Sequence, residues 1–309
     1  MRLIKVKDYT ELSQISITEE PKPTVRHGEL LIRVAAVGVN PLDWKLIIGS
    51  MKQVMPTPFP FVPGFEGAGV IEAVGGGVTG FSEGDRVYGR AHAMVAEYAV
   101  MQPGMVAKLP DNISLLQAAA IPSGAQVAYS ALHNVAQIRA GQKILIHGAS
   151  GGVGQYAVQL AELAGGEIWA TTSSSNVDMV KQIGAHHVID YQKESFENIV
   201  HDMDVVLNIV NDDLEARSWS ALRNGGLLIS LLRQPVIPND AVKENKKGVF
   251  MRGVQGEYMG VINQFVAEGK ITPTIDSVYD LEEAADAYSK SQAGHVKGKI
   301  ILGIASDLI

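Results

Sequence analysis

The sequence has no cysteine and no long hydrophobic run. With 0 Cys among 309 residues, it cannot form disulfides, thiolate zinc sites or iron–sulfur clusters, and it offers no cysteine nucleophile. None of its apolar segments reaches the ~18 residues that a transmembrane helix needs. The first residues mix charged and apolar side chains, unlike a secretory signal. We therefore expect a cytoplasmic protein that does not associate with a membrane.

The chain also lacks a basic excess. It carries 26 Lys and Arg against 33 Asp and Glu, which gives a net charge of −7. An acidic chain without a basic block argues against a nucleic-acid partner. Hydrophobic residues make up 46% and charged residues 19%, as in ordinary globular proteins. The length predicts about two domains, each of roughly 150 residues.

The pattern of apolar residues changes along the chain. Before residue 115, short apolar runs such as residues 30–39 and 69–74 alternate with Gly and Pro turns, which predicts a strand-rich domain. From residue 142, strands and helices alternate with βαβ spacing. The predicted elements are strands Lys143–His147, Glu167–Thr172, His187–Asp190, 204–209 and 227–231, with helices at 153–164 and 177–183. The second domain should therefore be an α/β domain with a doubly wound parallel sheet, the Rossmann fold.

A glycine-rich turn between the first of these strands and its helix is the strongest motif. Within Gly-x-Gly-x-x-Gly, Ala149 takes the first position, and Gly151 and Gly154 take the second and third. Glycine at these positions lets the backbone approach a pyrophosphate at a helix N-terminus. This context predicts a dinucleotide site, with cofactor contacts from Ala149, Ser150, Gly151, Gly152 and Val153.

Two other interpretations of the turn stay open. It could be a tight connection without a ligand. The residues also fit Gly-x-Ser-x-Gly, the nucleophile elbow of hydrolases, with Ser150 as nucleophile. A hydrolase needs an acid and then a His after later strands. His201 precedes its strand, and His295 has no evident acid partner, so this alternative is disfavoured.

The end of the second strand indicates which dinucleotide binds. A domain that binds NAD places a carboxylate there for the ribose 2′-OH. This chain has no acidic residue between the end of the strand and Asp178. Hydroxyl and amide groups can donate to a 2′-phosphate. We therefore predict NADPH as the cofactor, although no Arg or Lys stands at the strand end. The further predicted cofactor contacts are Thr172, Ser173, Ser174, Asn176 and Tyr191.

Local structure offers compatible roles for the same residues. Ser175 or Asn176 would cap the next helix, and Tyr191 would be a boundary aromatic. No metal site is expected, because His186 and His187 are adjacent and point to opposite faces of a strand. No Tyr has a Lys four residues later, which disfavours a short-chain dehydrogenase.

Motifs spread over nearly the whole chain resemble one family. They are 38–45 (GVNPLDWK), 63–69 (PGFEGAG), 84–87 (GDRV), 96–98 (AEY), 148–154 (GASGGVG), 184–191 (GAHHVIDY) and 298–300 (GKI). Together they resemble the zinc-independent medium-chain dehydrogenases/reductases, in the branch of quinone oxidoreductases and enone reductases. Zinc alcohol dehydrogenases have His where this chain has Phe65, and Cys ligands that it lacks.

The resemblance implies two domains. A GroES-like, partly open β-barrel would span residues 1–118 and be completed by 256–309, and the Rossmann domain would span 119–255. The nicotinamide would lie in the cleft between them, beside Asn40 and Pro41, and Ser123 and Val127 would approach the cofactor. Relatives tend to form homodimers. The residues themselves predict a helix start at Asn40, with Pro41 at the first position and Asp43 at the third. Glu66 is expected to be a buried, paired acid.

The resemblance also implies hydride transfer without a metal. We predict an NADPH-dependent enzyme that reduces a quinone or an α,β-unsaturated carbonyl, a small-molecule substrate. The pocket candidates are Asn40, Trp44 and Tyr98, with Ile47, Met94, Leu232 and a lid at residues 51–61; no proton donor is assigned. Three alternatives stay open: reduction of an enoyl thioester, a non-enzymatic NADPH-binding sensor or interaction protein on the same fold, and the hydrolase.

Overall fold

The computed structural model describes residues 1–254 and 257–309. The strands in these residues are β1 (Arg2–Ile4), β2 (Ile17–Glu19), β3 (Leu30–Gly38), β4 (Glu66–Val74), β5 (Arg86–Arg90), β6 (Tyr98–Met101), β7 (Val106–Lys108), β8 (Lys143–His147), β9 (Glu167–Thr172), β10 (His187–Asp190), β11 (Met203–Asn208), β12 (Leu222–Ser230), β13 (Lys247–Phe250), β14 (Ile275–Asp280) and β15 (Lys299–Gly303). The α-helices are α1 (Pro41–Ile47), α2 (Leu115–Ala118), α3 (Pro122–Tyr129), α4 (Gly154–Leu163), α5 (Val177–Gln182), α6 (Asp212–Ser218), α7 (Asn239–Lys243), α8 (Met259–Ala267) and α9 (Ala284–Ala293).

The chain divides into two compact units. The first contains Met1–Ser123 and Met259–Ile309, and the second contains Gly124–Tyr258. The first division thus falls after residue 123, whereas the sequence analysis placed it after 118. The predicted boundary between residues 255 and 256 lies outside the described residues.

The first unit is built on a mostly antiparallel sheet. Its strand order is β14-β15-β3-β4-β5-β7, and β6 pairs with β3 outside this path. The C-terminal strand β15 runs antiparallel to β3, with Ile301 opposite Gly38. The sheet's buried aliphatic side chains form one core with Leu281 and Tyr288 from the segment around α9. Chain segments more than 200 residues apart thus share one hydrophobic core.

The second unit is built on a parallel sheet of order β10-β9-β8-β11-β12-β13. In the order of these six strands along the chain this reads 3-2-1-4-5-6, the arrangement of dinucleotide-binding sheets. The chain reverses direction across the sheet between β8 and β11, and ligands bind at the carboxyl ends of the strands beside such a switch. The predicted α/β fold with a doubly wound parallel sheet is confirmed.

The predicted strands β8, β9 and β10 agree with the structure in both bounds. Strand β12 is longer than expected, because it begins at Leu222 rather than residue 227. Residues 223–226 contain Gly225 at φ 73° and look like a turn in sequence. The pairing of β12 with β11 shifts register here, so this stretch is an irregularity within one strand. Among the described helices, none is long and apolar enough to cross a bilayer.

Candidate functional site

The glycine turn lies between β8 and α4, at the switch point of the parallel sheet. A Cβ on Gly154 would lie 2.1 Å from the carbonyl oxygen of Gly148 and 2.8 Å from Cα of Ala149. Only glycine therefore fits at this position. A Cβ on Gly151 would meet only the Gly148 oxygen, at 3.4 Å, so space lies open beside Gly151. The backbone amide of Ala149 donates to Thr171 O at 3.1 Å and ties the turn to β9.

Helix α3 packs against this turn. A Cβ on Gly124 would lie 2.2 Å from Gly152 O and 2.9 Å from the ring of Tyr156. Glycine at position 124 therefore allows the close approach of the helix backbone to the turn. Val127, a predicted cofactor contact, lies one turn further along α3 and is half-buried.

Ser150 is held by the residues that follow β9. Its Oγ accepts hydrogen bonds from Thr172 Oγ1 at 3.0 Å and Asn176 Nδ2 at 3.2 Å. Asn176 also donates to Ser173 Oγ. Four predicted cofactor contacts thus form one hydrogen-bonded cluster. Asn176, one of the two expected caps of α5, occupies the N-cap position but makes no side-chain capping bond. Its side-chain amide donates instead to Ser150 in the glycine turn.

The nearest His in sequence is not available as a base for Ser150. The ring nitrogens of His147 contact Thr171 Oγ1 at 3.1 Å and Ser218 Oγ at 2.9 Å. The imidazole is fully buried, and burial lowers its pKa to about 3. The hydroxyl of Ser150, an acceptor from two neighbours, therefore lacks the arrangement that a nucleophile elbow requires.

The turn after β10 joins the serine cluster. Ser174 Oγ donates to Asp190 Oδ2, and Ser174 N donates to Gln192 Oε1 at 3.1 Å. Lys193 Nζ pairs with Asp190 Oδ2 at 2.9 Å. The pKa of Asp190 lies below its usual value because of the hydrogen bonds from Ser174 and Lys193. The sequence analysis did not predict that Ser174 bonds to Asp190 and Gln192, or that Lys193 pairs with Asp190. The i, i+3 spacing of Asp190 and Lys193 could have indicated the ion pair.

Tyr191 lies in this turn and is 51% exposed. Its backbone N donates to Thr172 O at 3.1 Å, which places Tyr191 next to the end of β9. A half-exposed aromatic ring at this edge is free to stack on a ligand. Its exposure places Tyr191 at the surface of the second unit.

The first unit contains a buried polar network around Glu66. Lys299 Nζ pairs with Glu66 Oε1 at 2.5 Å, and both side chains are at most 5% exposed. Asn40 Nδ2 donates to Glu66 Oε1 at 2.7 Å, and Lys299 donates to Asn40 Oδ1 at 2.7 Å. Ser123 N donates to Glu66 Oε2 at 2.7 Å. Glu66 has the buried, paired geometry that the sequence analysis expected; Lys299 was missed as its partner.

The same network holds the side chain of Asn40 at the start of α1. The helix starts as predicted, with Pro41 at its first position, and Asp43 Oδ2 accepts from Asn40 N at 2.7 Å. Asn40 occupies the N-cap position, as expected, and its side-chain amide also bonds to Glu66 and to Gly38 O. Asp43 is buried and also accepts from Gly64 N at 2.9 Å. Burial raises the pKa of Asp43 to about 7.

The predicted pocket residues are brought together only in part: Trp44, Ile47 and Met94 share one core, and Tyr98 and Leu232 lie elsewhere. Tyr98 pairs with Arg33 on β3, five residues before the end of that strand, which at ~3.3 Å per residue is about 17 Å from the region of Asn40. The Lys22 ammonium lies 4.1 Å from the Tyr98 ring centroid. Trp44 packs against the core of the first unit, and Ile47 and Met94 belong to that core. Leu232 is 38% exposed in the second unit.

Phe65 stands at the position where the zinc branch has His. Its ring contacts His92 edge to face, with 5.6 Å between centroids. In residues 1–254 and 257–309, no group of three or more His, Cys, Asp or Glu is arranged to hold a metal ion.

Two family models match the chain. The model of the alcohol dehydrogenase GroES-like domain matches residues 26–111. The model named zinc-binding dehydrogenase matches residues 183–302. The first match lies within the first unit, and the second match begins in the second unit and continues into the C-terminal segment of the first.

Curated relatives match most of the chain. A quinone oxidoreductase, QR1, of Triphysaria versicolor is 32% identical over 92% of this chain and 92% of its own length. A 2-methylene-furan-3-one reductase of Solanum lycopersicum is 31% identical over 97% of this chain and 79% of its own. An NADPH-dependent alkenal/one oxidoreductase of Arabidopsis thaliana is 29% identical over 91% and 73%. The solved structure of the quinone oxidoreductase from Coxiella burnetii aligns with a TM-score of 0.86 at 28% identity, over 99% of both chains.

Proposed function

Because the chain belongs to the medium-chain dehydrogenase/reductase family, in the branch of quinone oxidoreductases and enone reductases, we propose that it is a metal-free, NADPH-dependent oxidoreductase. It transfers hydride to a quinone or an α,β-unsaturated carbonyl. The observation that carries this proposal is the glycine turn at the switch point of the 3-2-1-4-5-6 sheet.

The residues of the turn fit a dinucleotide. The open space beside Gly151 admits a pyrophosphate to the backbone, and the requirement for glycine at 154 keeps α4 close to the turn. The first turn of a helix has unpaired N–H groups and a positive dipole end, which favour an anion. Ala149, Ser150, Gly152 and Val153 complete this turn. When bound, the nicotinamide supplies the hydride; the chain binds and orients it.

The cluster after β9 supports NADPH rather than NADH. Thr172, Ser173, Ser174 and Asn176 present hydroxyl and amide groups where an NAD enzyme places a carboxylate. One curated relative is named for NADPH. The contacts of Asn40 and Pro41 with the nicotinamide, and of Ser123 and Val127 with the cofactor, remain predictions from the family resemblance.

The acceptor class is proposed from the names of the relatives, which include two quinone oxidoreductases and two reductases of unsaturated carbonyls. Hydride addition to the β-carbon of an enone places negative charge on the carbonyl oxygen. The protein must therefore offer a donor to that oxygen and exclude water from the reacting carbon. No residue is assigned to this donor.

Metal-free chemistry is supported by the donor set. Phe65 has no lone pair for zinc, and the chain has 0 Cys, the ligand type that zinc alcohol dehydrogenases use. The absence of Cys also fits a reducing compartment, and we propose the cytoplasm as its location. We further propose a homodimer, which sedimentation velocity would test against the monomer mass of 33.1 kDa.

Calorimetric titration with NADPH and with NADH tests the proposal, with the zinc content measured on the same sample. We expect tighter binding of NADPH and no stoichiometric zinc. A screen of quinones and enones, followed by loss of NADPH absorbance, then identifies the acceptor. Failure to bind either nucleotide would overturn the oxidoreductase. NADPH binding without turnover of any acceptor would favour the sensor or interaction protein.

A further inference from the structure

Residues 173–176, the serine turn after β9, have a cation beside them that the sequence analysis did not assign. Ser174 stands 20 residues after Gly154, the spacing at which Rossmann domains read the ribose 2′ substituent. Its hydroxyl donates to Asp190, and Asp190 pairs with Lys193. Lys193 thus contacts Asp190, which accepts a hydrogen bond from Ser174, the residue expected to face the 2′ position.

The ion pair between Asp190 and Lys193 is asymmetric. The side chain of Asp190 is 9% exposed, and that of Lys193 is 70% exposed. The carboxylate faces inward, where it accepts from Ser174 Oγ and from Gln192 N. The ammonium faces solvent and has three donors, of which the carboxylate uses one. An anion that approaches the serine turn from solvent therefore meets the ammonium before the carboxylate.

Asp190 alone would oppose a 2′-phosphate. A carboxylate beside the serine turn repels a second anion, and the repulsion is stronger where water is partly excluded. Lys193 neutralises this charge, and its pKa is raised by the hydrogen bond with Asp190. It therefore stays protonated at neutral pH. Of the cations in residues 1–254 and 257–309, Lys193 is the one whose ion pair reaches a partner of Ser174.

We propose that Lys193 is the specificity-determining cation for NADPH, binding the ribose 2′-phosphate together with the hydroxyls of the serine turn, while Asp190 holds Lys193 and Ser174 in place. This inference rests on the proposed dinucleotide site. It replaces the Arg or Lys that the end of β9 lacks with a cation from the turn after β10.

The test is calorimetric titration of the full chain with NADPH, NADH and 2′,5′-ADP. In Lys193→Gln, the affinity for NADPH and for 2′,5′-ADP should fall by roughly tenfold, the effect of one exposed charge-assisted contact to phosphate. The affinity for NADH should stay unchanged.

A second Asp–Lys pair provides the matched control. Lys243 pairs with Asp240 at the same i, i+3 spacing in the same unit, with Nζ 3.3 Å from Oδ1. Lys243→Gln should leave all three affinities unchanged. Equal effects of Lys193→Gln on NADPH and NADH, or no effect on either, would overturn the assignment of Lys193 while the proposed function stands. A wild-type protein that binds neither nucleotide would refute both.

Discussion

At the residue scale, a buried ion pair between Glu66 and Lys299 supports Asn40 at the start of α1. Glu66 and Lys299 are 0% and 4% exposed. Removing each ion from water costs several kcal/mol, which the attraction between the two ions must offset. The pair is satisfied by Asn40 and by the backbone of Ser123. A Cβ on Gly38 would lie 2.9 Å from Glu66 Cδ, so little room exists for rearrangement.

Replacing Lys299 with Met should therefore destabilise the first unit strongly. Lys299→Met leaves Glu66 buried without its cation, and the expected loss is about 3–5 kcal/mol in the free energy of unfolding. The double variant Glu66→Gln, Lys299→Met should recover part of this loss, since no buried charge remains. Urea unfolding measures both. A single variant as stable as the wild type would contradict the role of the pair.

His147 makes the second unit sensitive to acid. Its folded pKa of about 3 lies below the ordinary value of 6.5, because burial disfavours the charged ring. The folded state therefore binds fewer protons than the unfolded state between these values. Stability from this group is fully present above about pH 6.5 and is lost as the pH falls toward 3, at about 1.4 kcal/mol per pH unit.

The variant His147→Gln isolates this effect. The difference in unfolding free energy between wild type and variant should shrink as the pH is lowered from 7 to about 4, because the variant has no group to protonate here. Urea unfolding across this range gives the difference. A constant difference would mean that His147 does not titrate in this window.

At the element scale, the contact between α4 and the turn before it makes two glycines respond differently to substitution. Gly154→Val places side-chain carbon 2.1 Å from Gly148 O, and the chain must shift, with a cost of about 3 kcal/mol. Gly151→Ala meets only one atom, at 3.4 Å. It should fold normally yet bind NADPH more weakly, because the methyl group occupies the space for the pyrophosphate.

Thermal unfolding and calorimetry separate the two effects. Gly260→Ala on α8 is the control, because a Cβ there meets nothing within 4 Å; it should change neither stability by more than about 1 kcal/mol nor NADPH affinity. If Gly151→Ala bound NADPH as the wild type does, the pyrophosphate would not lie against this turn.

Also at the element scale, local sequence patterns predict strands but not the contacts between residues far apart in the chain. Local patterns predicted β8, β9 and β10 in both bounds, since each is a short apolar run between clear breakers. Patterns also located Ser150 and Ser174. They did not show that Asn176 bonds across to Ser150, or that Lys299 meets Asn40, because these partners are 26 and 259 residues apart. Such contacts depend on the packing of whole elements.

At the scale of the whole molecule, two parts separated in sequence carry the proposed chemistry. The second unit holds the glycine turn proposed to bind the dinucleotide, and the first holds the network that fixes Asn40 and the start of α1. The fold class followed from the alternation of strands and helices and from the family motifs. The pocket followed only in part, because the pairing of Tyr98 with Arg33 on β3 depends on the path of that strand and not on a local pattern.

Transfer of label from the cofactor tests the central claim most directly. The chelator-treated protein is incubated with an enone and NADPH carrying deuterium at both C4 positions, and the product is analysed by mass spectrometry. Metal-free hydride transfer predicts a saturated ketone that carries one deuterium at the β-carbon. A product without deuterium, or formation of product only after zinc is restored, would contradict the account.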